Sequence, residues 1–396
     1  MTADDPRIAA EWLTGPDARA VTGLLTEAGH QALFVGGCVR NAVLGAPVQD
    51  LDLATDARPD RVMALAEAAG LKAVPTGIEH GTVTLIHAHH PIEVTTYRAD
   101  IETHGRHATV RFSTDVAEDA ARRDFTMNAL YADPTGRIVD PLGGLPDLRA
   151  RRLRFVGDAT ARVHEDYLRI LRFFRFHAWY ADPAGGFDAE GLAACAEGAP
   201  GLDRISAERI GAEMKKLLAA PDPGPALGAM AQAGILARIL PGADAPPVAR
   251  LVHLAPSSDA LTRLAALGGE GVPDRLRLSK HETRRLSRLR EAATGGASPA
   301  ELGWRLGEEE ARASLAIRAA LISQPLPAEV EDEVTRGAAA RFPVKPADLM
   351  PAYSGAALGS RLAQLERAWI DSGFRADKAS LLALPDPLED GDAGTG

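Results

Sequence analysis

Asp50 and Asp52 stand two residues apart in VQDLDLAT, with leucines between and after them. If this alternation is a strand, both carboxylates leave the same face. Paired like charges are unfavourable unless a cation compensates. A hard divalent ion such as Mg²⁺ takes oxygen ligands from one or two carboxylates plus substrate phosphates. A turn cap at Asp50 with a solvent-facing Asp52 leaves the same spacing, so the pair takes its meaning from its neighbours. Upstream, the apolar run ALFV ends in Gly36-Gly37 and enters VRNAVL. A strand that breaks at glycines into a helix presents free backbone N–H groups to phosphate, and Arg40, one turn in, can pair with phosphate oxygens. Two-metal phosphoryl transfer calls for a further carboxylate. Glu93, between Ile92 and Val94 in IEVTTYR, has the alternation of a strand residue aimed into a cleft or of one on an edge-strand surface.

Two downstream stretches add polar groups. In ARRDFTMNALYAD, Arg122 and Arg123 suit phosphate, and Asp124 either meets a ribose hydroxyl or caps the FTMNAL segment. In HEDYLRILRFFRF, Glu165 and Asp166 precede Arg169 by four and three residues, so on one helix both acids reach one guanidinium. Such a group is either a surface salt bridge or an acid-and-arginine edge for a nucleobase. Carboxylates accept from the exocyclic amines of C and A, where U and G carry a carbonyl.

The elements that must position these residues follow from periodicity. Residues 6–29 read as helix, ALFV as a buried strand, VRNAVL as helix and VQDLDLAT as strand. DARPDRVMALAEAAG has the early proline and terminal glycine of a helix. GTVTLIHA and PIEVTTYR read as strands, and the polar stretch Ala99–Glu118 as a segment including a mobile loop. The first 150 residues are therefore an α/β head. From residue 151 the pattern is helical, HEDYLRILRFFRFHAWY included, with proline-rich breaks at 221–225, 241–247 and around Pro325 and Pro327.

The chain has 396 residues, 46% hydrophobic and 25% charged, with a net charge of −10. This is a globular composition of two to four domains, without an apolar stretch long enough to cross a bilayer. The opening MTADDPRIAAEWLTG lacks the basic and apolar regions of a signal peptide. Cys38 and Cys195 provide neither a disulfide framework nor zinc spacing, which fits a reducing cytoplasm. The acidic total does not exclude nucleic acid, because arginines cluster in RARRLR, RILRFFR and RRLSRLR. His87, His89 and His90 lie between two strands without a partner pattern, and Cys38 reads as a small turn residue.

Together GGCVRNAVLG, DLDLAT, IEVTTYR, RRDFTMNALYAD, DPLGGLPDLRARRLR, EDYLRILRFFRF and ERIGAEMKKLL resemble the class II tRNA nucleotidyltransferases, which share a polymerase-beta-type head with bacterial poly(A) polymerases. The resemblance covers residues 30–220 and is looser beyond. It implies an α/β nucleotidyltransferase head over 1–150, a nucleobase-reading helical neck over 151–222, a helical body over 223–325 and a tRNA-binding helical tail over 326–396. It implies Asp50 and Asp52 as ligands of Mg²⁺, with Glu93 as the further catalytic carboxylate. Gly36, Gly37 and Arg40 would hold the triphosphate, and Arg123, Asp124 and Asn128 would contact the incoming nucleotide. Asp166 and Arg169 would read its base, supported by Glu165 and Arg172. The implied partners are tRNA, CTP and ATP, with no membrane, and the implied activity is template-independent addition of C, C and A. The alternatives are a poly(A) polymerase, an enzyme adding only CC or only A, and a non-catalytic RNA-binding relative. Two positions depart from the family pattern: Asn41 stands where an aspartate is usual, and GAALG replaces a glycine-proline element near the tail.

Overall fold

In the computed structural model, which describes residues 6–104, 107–256 and 258–385, the amino-terminal helical stretch is split at Gly15 into α1 (Glu11–Thr14) and α2 (Pro16–Glu27). Gly15 is extended and Pro16, lacking an N–H, starts the second helix instead of continuing the first. Next come β1 (Leu33–Val35), α3 (Gly37–Leu44), β2 (Asp52–Thr55), α4 (Pro59–Ala68), β3 (Lys72–Gly77), β4 (Thr82–His87) and β5 (His90–Thr96). The expected strand VQDLDLAT is shorter than its alternation suggests. It begins at Asp52, and Asp50 lies in the connection before it, exposed to solvent.

The segment 99–118, expected to include a mobile loop, carries a hairpin of β6 (Arg98–His104) and β7 (His107–Phe112), followed by α5 (Val116–Ala121), and residues 105 and 106 between the strands lie outside the described residues. A two-stranded ribbon has no partner sheet, so its sequence need not carry the apolar face that marks a core strand. Two short strands, β8 (Tyr131–Ala132) and β9 (Ile138–Val139), complete a seven-stranded sheet in the order β3-β4-β5-β2-β1-β8-β9. Neighbours are antiparallel except β2 and β5, which run parallel with Asp52 in register with Glu93. Leu33, Val35, Ala54, Tyr97, Ala129 and Tyr131 form one buried cluster of this unit.

Among the described residues no strand follows β9. The chain continues through α6 (Leu145–Arg149), α7 (Ala159–Glu165), α8 (Leu168–Tyr180), α9 (Ala189–Gly198), α10 (Ala207–Leu218), α11 (Gly224–Gln232) and α12 (Ile235–Ile239). Phe125, Phe155 and Phe173 pack ring on ring, with the last two stacked at 5.4 Å, and so hold α8 against the segment carrying Asp124. These elements belong to one compact unit, Met1–Ala245 with Gly269–Leu278.

A second compact unit, Pro246–Gly268 with Ser279–Gly396, is helical throughout its described regular elements. It contains α13 (Pro246–Leu254) and α14 (Ala260–Leu267); the intervening α15 (Val272–Arg275) belongs to the first unit. The second unit continues with α16 (Lys280–Thr294), α17 (Pro299–Ile322), α18 (Val330–Ala339), α19 (Gly355–Asp371) and α20 (Lys378–Leu382). Leu365, Trp369 and Leu381 anchor one of its cores and Leu315 and Val334 another. No helix among the described residues is long and apolar enough to cross a membrane.

Candidate active site

The glycine turn is built by conformation. Gly36 sits at φ 69°, a region L side chains rarely adopt, and α3 starts at the next residue. A Cβ on Gly36 would lie 3.5 Å from Arg123 Nη1, so this guanidinium stands directly over the turn. Arg40, one turn into α3, is buried with its donors aimed at fixed acceptors. Nη1 donates to Asn128 Oδ1 at 2.6 Å, Nη2 to the Tyr180 hydroxyl at 2.8 Å, and both Nε and Nη2 to Asn41 Oδ1. The Tyr180 ring lies 4.0 Å beneath the guanidinium carbon. Asn41 also donates from Nδ2 to the Pro47 carbonyl at 2.8 Å, which ties the arginine to the connection leading to Asp50. An aspartate could accept from Arg40 but could not make that second bond, so the amide has a structural use here.

Asp52 and Glu93 are register partners on parallel strands, so their side chains leave the same face of the sheet side by side. Burial, then the Glu93 charge, push the Asp52 carboxyl up to about 6; Arg123 opposes this and Asp50 adds to it. Burial and the neighbouring carboxylates thus favour the protonated form more than Arg123 favours the charged one. Asp50 is not buried beside Asp52 as the strand reading implied; it reaches the same place from the exposed connection. Among the described residues no three His, Cys, Asp or Glu side chains converge into a ready-made metal cage. Two oxygen-donor carboxylates nevertheless fit a hard divalent ion whose remaining ligands are substrate phosphate and water.

Both aspartates line one cleft of 690 Å³ together with Gly37, Arg40, Asn41 and Tyr180. Its other lining residues include Arg151, Arg175, Trp179 and Lys216. Carboxylates and cations thus share one cavity, the arrangement a metal-bound polyphosphate needs.

Arg123 and Asp124 point into two different networks. Arg123 donates to Asp119 at 2.9 Å and to the Tyr131 hydroxyl at 3.1 Å, and Tyr131 donates to Asp119 at 2.7 Å. Asp119 is almost fully buried. Burial raises its pKa, but Arg123 and Arg122 outweigh that and hold it at about 2. Asp124 is not the cap of the following turn, whose N-cap is Phe125. Its carboxylate accepts from Arg172 through Nε at 2.8 Å and through Nη2, and from Asn128 Nδ2 at 3.0 Å. Burial pushes Asp124 up, yet Arg172 and Asn128 bring it down to about 2. Asn128 therefore bridges Arg40 and Asp124, giving a continuous chain Arg40–Asn128–Asp124–Arg172 from the glycine turn to α8.

The helix expected through residues 164–180 is broken. Asp166, extended at φ −152°, ends α7, and its Oδ1 accepts from the Leu168 N–H at the start of α8 at 3.1 Å. Glu165 and Asp166 therefore do not share one guanidinium. Glu165 pairs with Arg169 and with Arg162, the latter at 2.9 Å, whereas Asp166 pairs with Arg209 of α10 at 2.6 Å. Arg169 also donates to the Arg122 carbonyl at 3.4 Å, which links it to the Arg122–Asp124 segment.

Sequence reasoning missed Asp119, Tyr131, Tyr180 and Arg209. The i,i+3 and i,i+4 spacing of Asp119 to Arg122 and Arg123 was a usable signal. The two tyrosines and Arg209 are brought in by packing alone. His87 and His90 do have a partner: both ring Nδ1 atoms meet Asp17, at 2.5 and 2.9 Å. Cys38 is buried in the first turn of α3 and donates to the Val35 carbonyl.

A sequence profile described as the poly A polymerase head domain matches residues 32–154, and one described as a probable RNA and SrmB-binding site of polymerase A matches residues 187–245. The human mitochondrial CCA tRNA nucleotidyltransferase 1 is 32% identical, over 92% of this chain and 88% of that protein. The CCA-adding enzyme of Geobacillus thermodenitrificans is 43% identical over 55% of this chain and 52% of its own length. Among solved structures, the Bacillus stearothermophilus CCA-adding enzyme in complex with CTP superposes with a TM-score of 0.72 at 30% identity, covering 90% of this chain and 92% of that one. The Thermotoga maritima CCA-adding enzyme complexed with tRNA has the same fold, with a TM-score of 0.68 at 19% identity, covering 95% of this chain and 97% of that one.

Proposed function

The chain belongs to the class II tRNA nucleotidyltransferases, the CCA-adding enzymes, and from that premise we propose how its residues add CMP, CMP and AMP to the 3′ end of tRNA. CTP and ATP are the donors, no nucleic-acid template is used, and pyrophosphate is released.

The observation that carries this reading is the hydrogen-bonded chain Arg40–Asn128–Asp124–Arg172, which joins a glycine turn to a neck helix beside the paired carboxylates. Gly36, Gly37 and Arg40 receive the triphosphate, with Arg123 over the turn. Asp124, Asn128 and Arg172 position the sugar and base side of the nucleotide. Asp166 and Arg169 present the edge that selects C and A, each braced by its own partner, Arg209 and Glu165. The family is metal-dependent, and we assign Mg²⁺ to Asp50 and Asp52, with Glu93 beside them. Of two such ions, one would lower the barrier to attack by the RNA 3′-hydroxyl on the α-phosphate and the other would neutralise the departing pyrophosphate. In that step the 3′-oxygen bonds the α-phosphorus and gives its proton to water, as the bond from the α-phosphorus to the α,β-bridging oxygen breaks and that oxygen leaves with pyrophosphate.

The work divides along the chain as a catalytic head over 1–150, a base-reading neck over 151–222, a body over 223–325 and a tRNA-holding tail over 326–396. The two cysteines are buried and unbridged, which supports a reducing compartment such as the cytoplasm. The test offers purified protein three tRNAs, ending before CCA, after C and after CC, with each labelled nucleotide. C, C and then A, stopping after three additions, is expected. Long A tails, addition of only part of CCA, or no incorporation with Mg²⁺ would each overturn the assignment.

A further inference from the structure

The cleft that holds Asp50 and Asp52 has a second wall that the proposed nucleotide contacts leave unused. Trp179, in the last turn of α8, is 41% exposed, yet its indole Nε1–H donates to the Lys216 carbonyl on α10 at 2.8 Å. That bond holds an exposed aromatic ring in one orientation at the cleft edge. The Lys216 ammonium and the Arg151 guanidinium border the same cavity, both residues exposed, and neither has a carboxylate partner among the described residues. Arg175 differs, because Glu213 neutralises it at 2.5 Å. Asp124, Asp166, Arg169 and Arg172, the groups proposed for the incoming nucleotide's sugar and base, are not part of this wall.

A fixed aromatic face beside unneutralised cations is what a single-stranded polynucleotide needs. A base stacks on the ring and the flanking phosphates meet the cations, whatever the sequence. The strand being extended must also bring its terminal hydroxyl to Asp50 and Asp52, hence into this cavity. We propose that Trp179, with Lys216 and Arg151, forms the platform on which the unpaired 3′ end of the RNA strand stacks. This rests on the RNA-extending reading above. Trp179 is a positioning residue for the strand and does not select the nucleotide added.

The test is fluorescence anisotropy of a labelled RNA hairpin with an unpaired 3′ tail, titrated with the full chain without nucleotide, against the same hairpin with a blunt end. Trp179→Ala should weaken binding of the tailed hairpin about tenfold, the scale of one lost stacked base, and leave the blunt one unchanged. Trp179→Phe should retain most of the affinity. Lys216→Ala and Arg151→Ala, at exposed positions, should each lower the salt dependence of tailed-hairpin binding by about one counter-ion. In steady-state incorporation, Trp179→Ala should raise KM for the RNA and leave KM for CTP and the nucleotide ranking alone. Unchanged tailed-hairpin affinity, equal weakening of both hairpins, or a raised KM for CTP would overturn the platform. A wild type that prefers the tail and loses this preference on Trp179→Ala, yet incorporates no nucleotide, would sustain the platform and sink the enzymatic reading. A wild type that incorporates CMP while Trp179→Ala keeps full tail affinity would do the reverse.

Discussion

Replacing Asp52 with asparagine keeps the shape of the side chain and removes its charge. In the metal-free protein that charge is unfavourable, because burial, Glu93 and Asp50 all oppose it and raise the carboxyl from 3.8 to about 6. The folded state therefore holds this proton more tightly than the unfolded chain does. Between about pH 4 and pH 6 the folded protein binds more protons, so this residue lowers stability as pH rises through that window. Above it the full effect applies: about two pH units at ~1.4 kcal/mol each give ~3 kcal/mol. Solvent screening of a partly exposed group brings that to about 1–2 kcal/mol. Asp52→Asn should therefore be more stable than wild type by about 1–2 kcal/mol at pH 7.5 in chelator, and the gain should vanish near pH 4. Urea unfolding of both proteins across that range measures it. Mg²⁺ should stabilise the wild type and not the variant, because binding to the folded state shifts unfolding only where the ligands remain. Nucleotide incorporation by the variant should be almost abolished. A variant less stable than wild type at pH 7.5, or a stability difference that does not change with pH, would refute the argument that these carboxylates wait for a cation.

Asp50→Ala should also nearly abolish incorporation but shift unfolding by no more than about 0.5 kcal/mol, because the residue is exposed. Asp124→Asn should cost about 2 kcal/mol at pH 7, since Asp124 is lowered from 3.8 to about 2. That stability is present above the unfolded pKa and is lost as pH falls through the folded one, so denaturant curves of variant and wild type should begin to converge near pH 4 and meet only near pH 2. Arg169→Ala should erase the preference for CTP and ATP over UTP and GTP, by on the order of 1–3 kcal/mol per lost bidentate contact, in a four-nucleotide incorporation assay. An unchanged ranking there would leave Arg169 as a structural helix residue paired with Glu165.

The groups that can do chemistry were legible in the sequence because their types and local spacing carry the signal. Gly36-Gly37 before a helix, Asp52 on a strand, and Glu93 flanked by Ile92 and Val94 all follow from local sequence pattern. Periodicity is local, so the α/β head and helical remainder were legible too. It failed where a single residue's backbone angles interrupt a pattern. Asp166 breaks an apparent helix by turning extended at the end of α7, and Asp50 falls just outside a strand whose alternation runs through it. A two-stranded ribbon at 98–112 has no core face to mark it. What only the tertiary structure decided is partnership. The i,i+3 spacing pointed Asp166 at Arg169, but packing of α8 against α10 hands it to Arg209 instead. Arg40 meets Asn128 and Tyr180, 88 and 140 residues away in the chain. Asp52 meets Glu93 only because β2 and β5 run parallel in that register. A side chain's charge is written in its own residue, whereas its pKa and hydrogen bonds depend on which distant groups the folded backbone brings within a few ångströms.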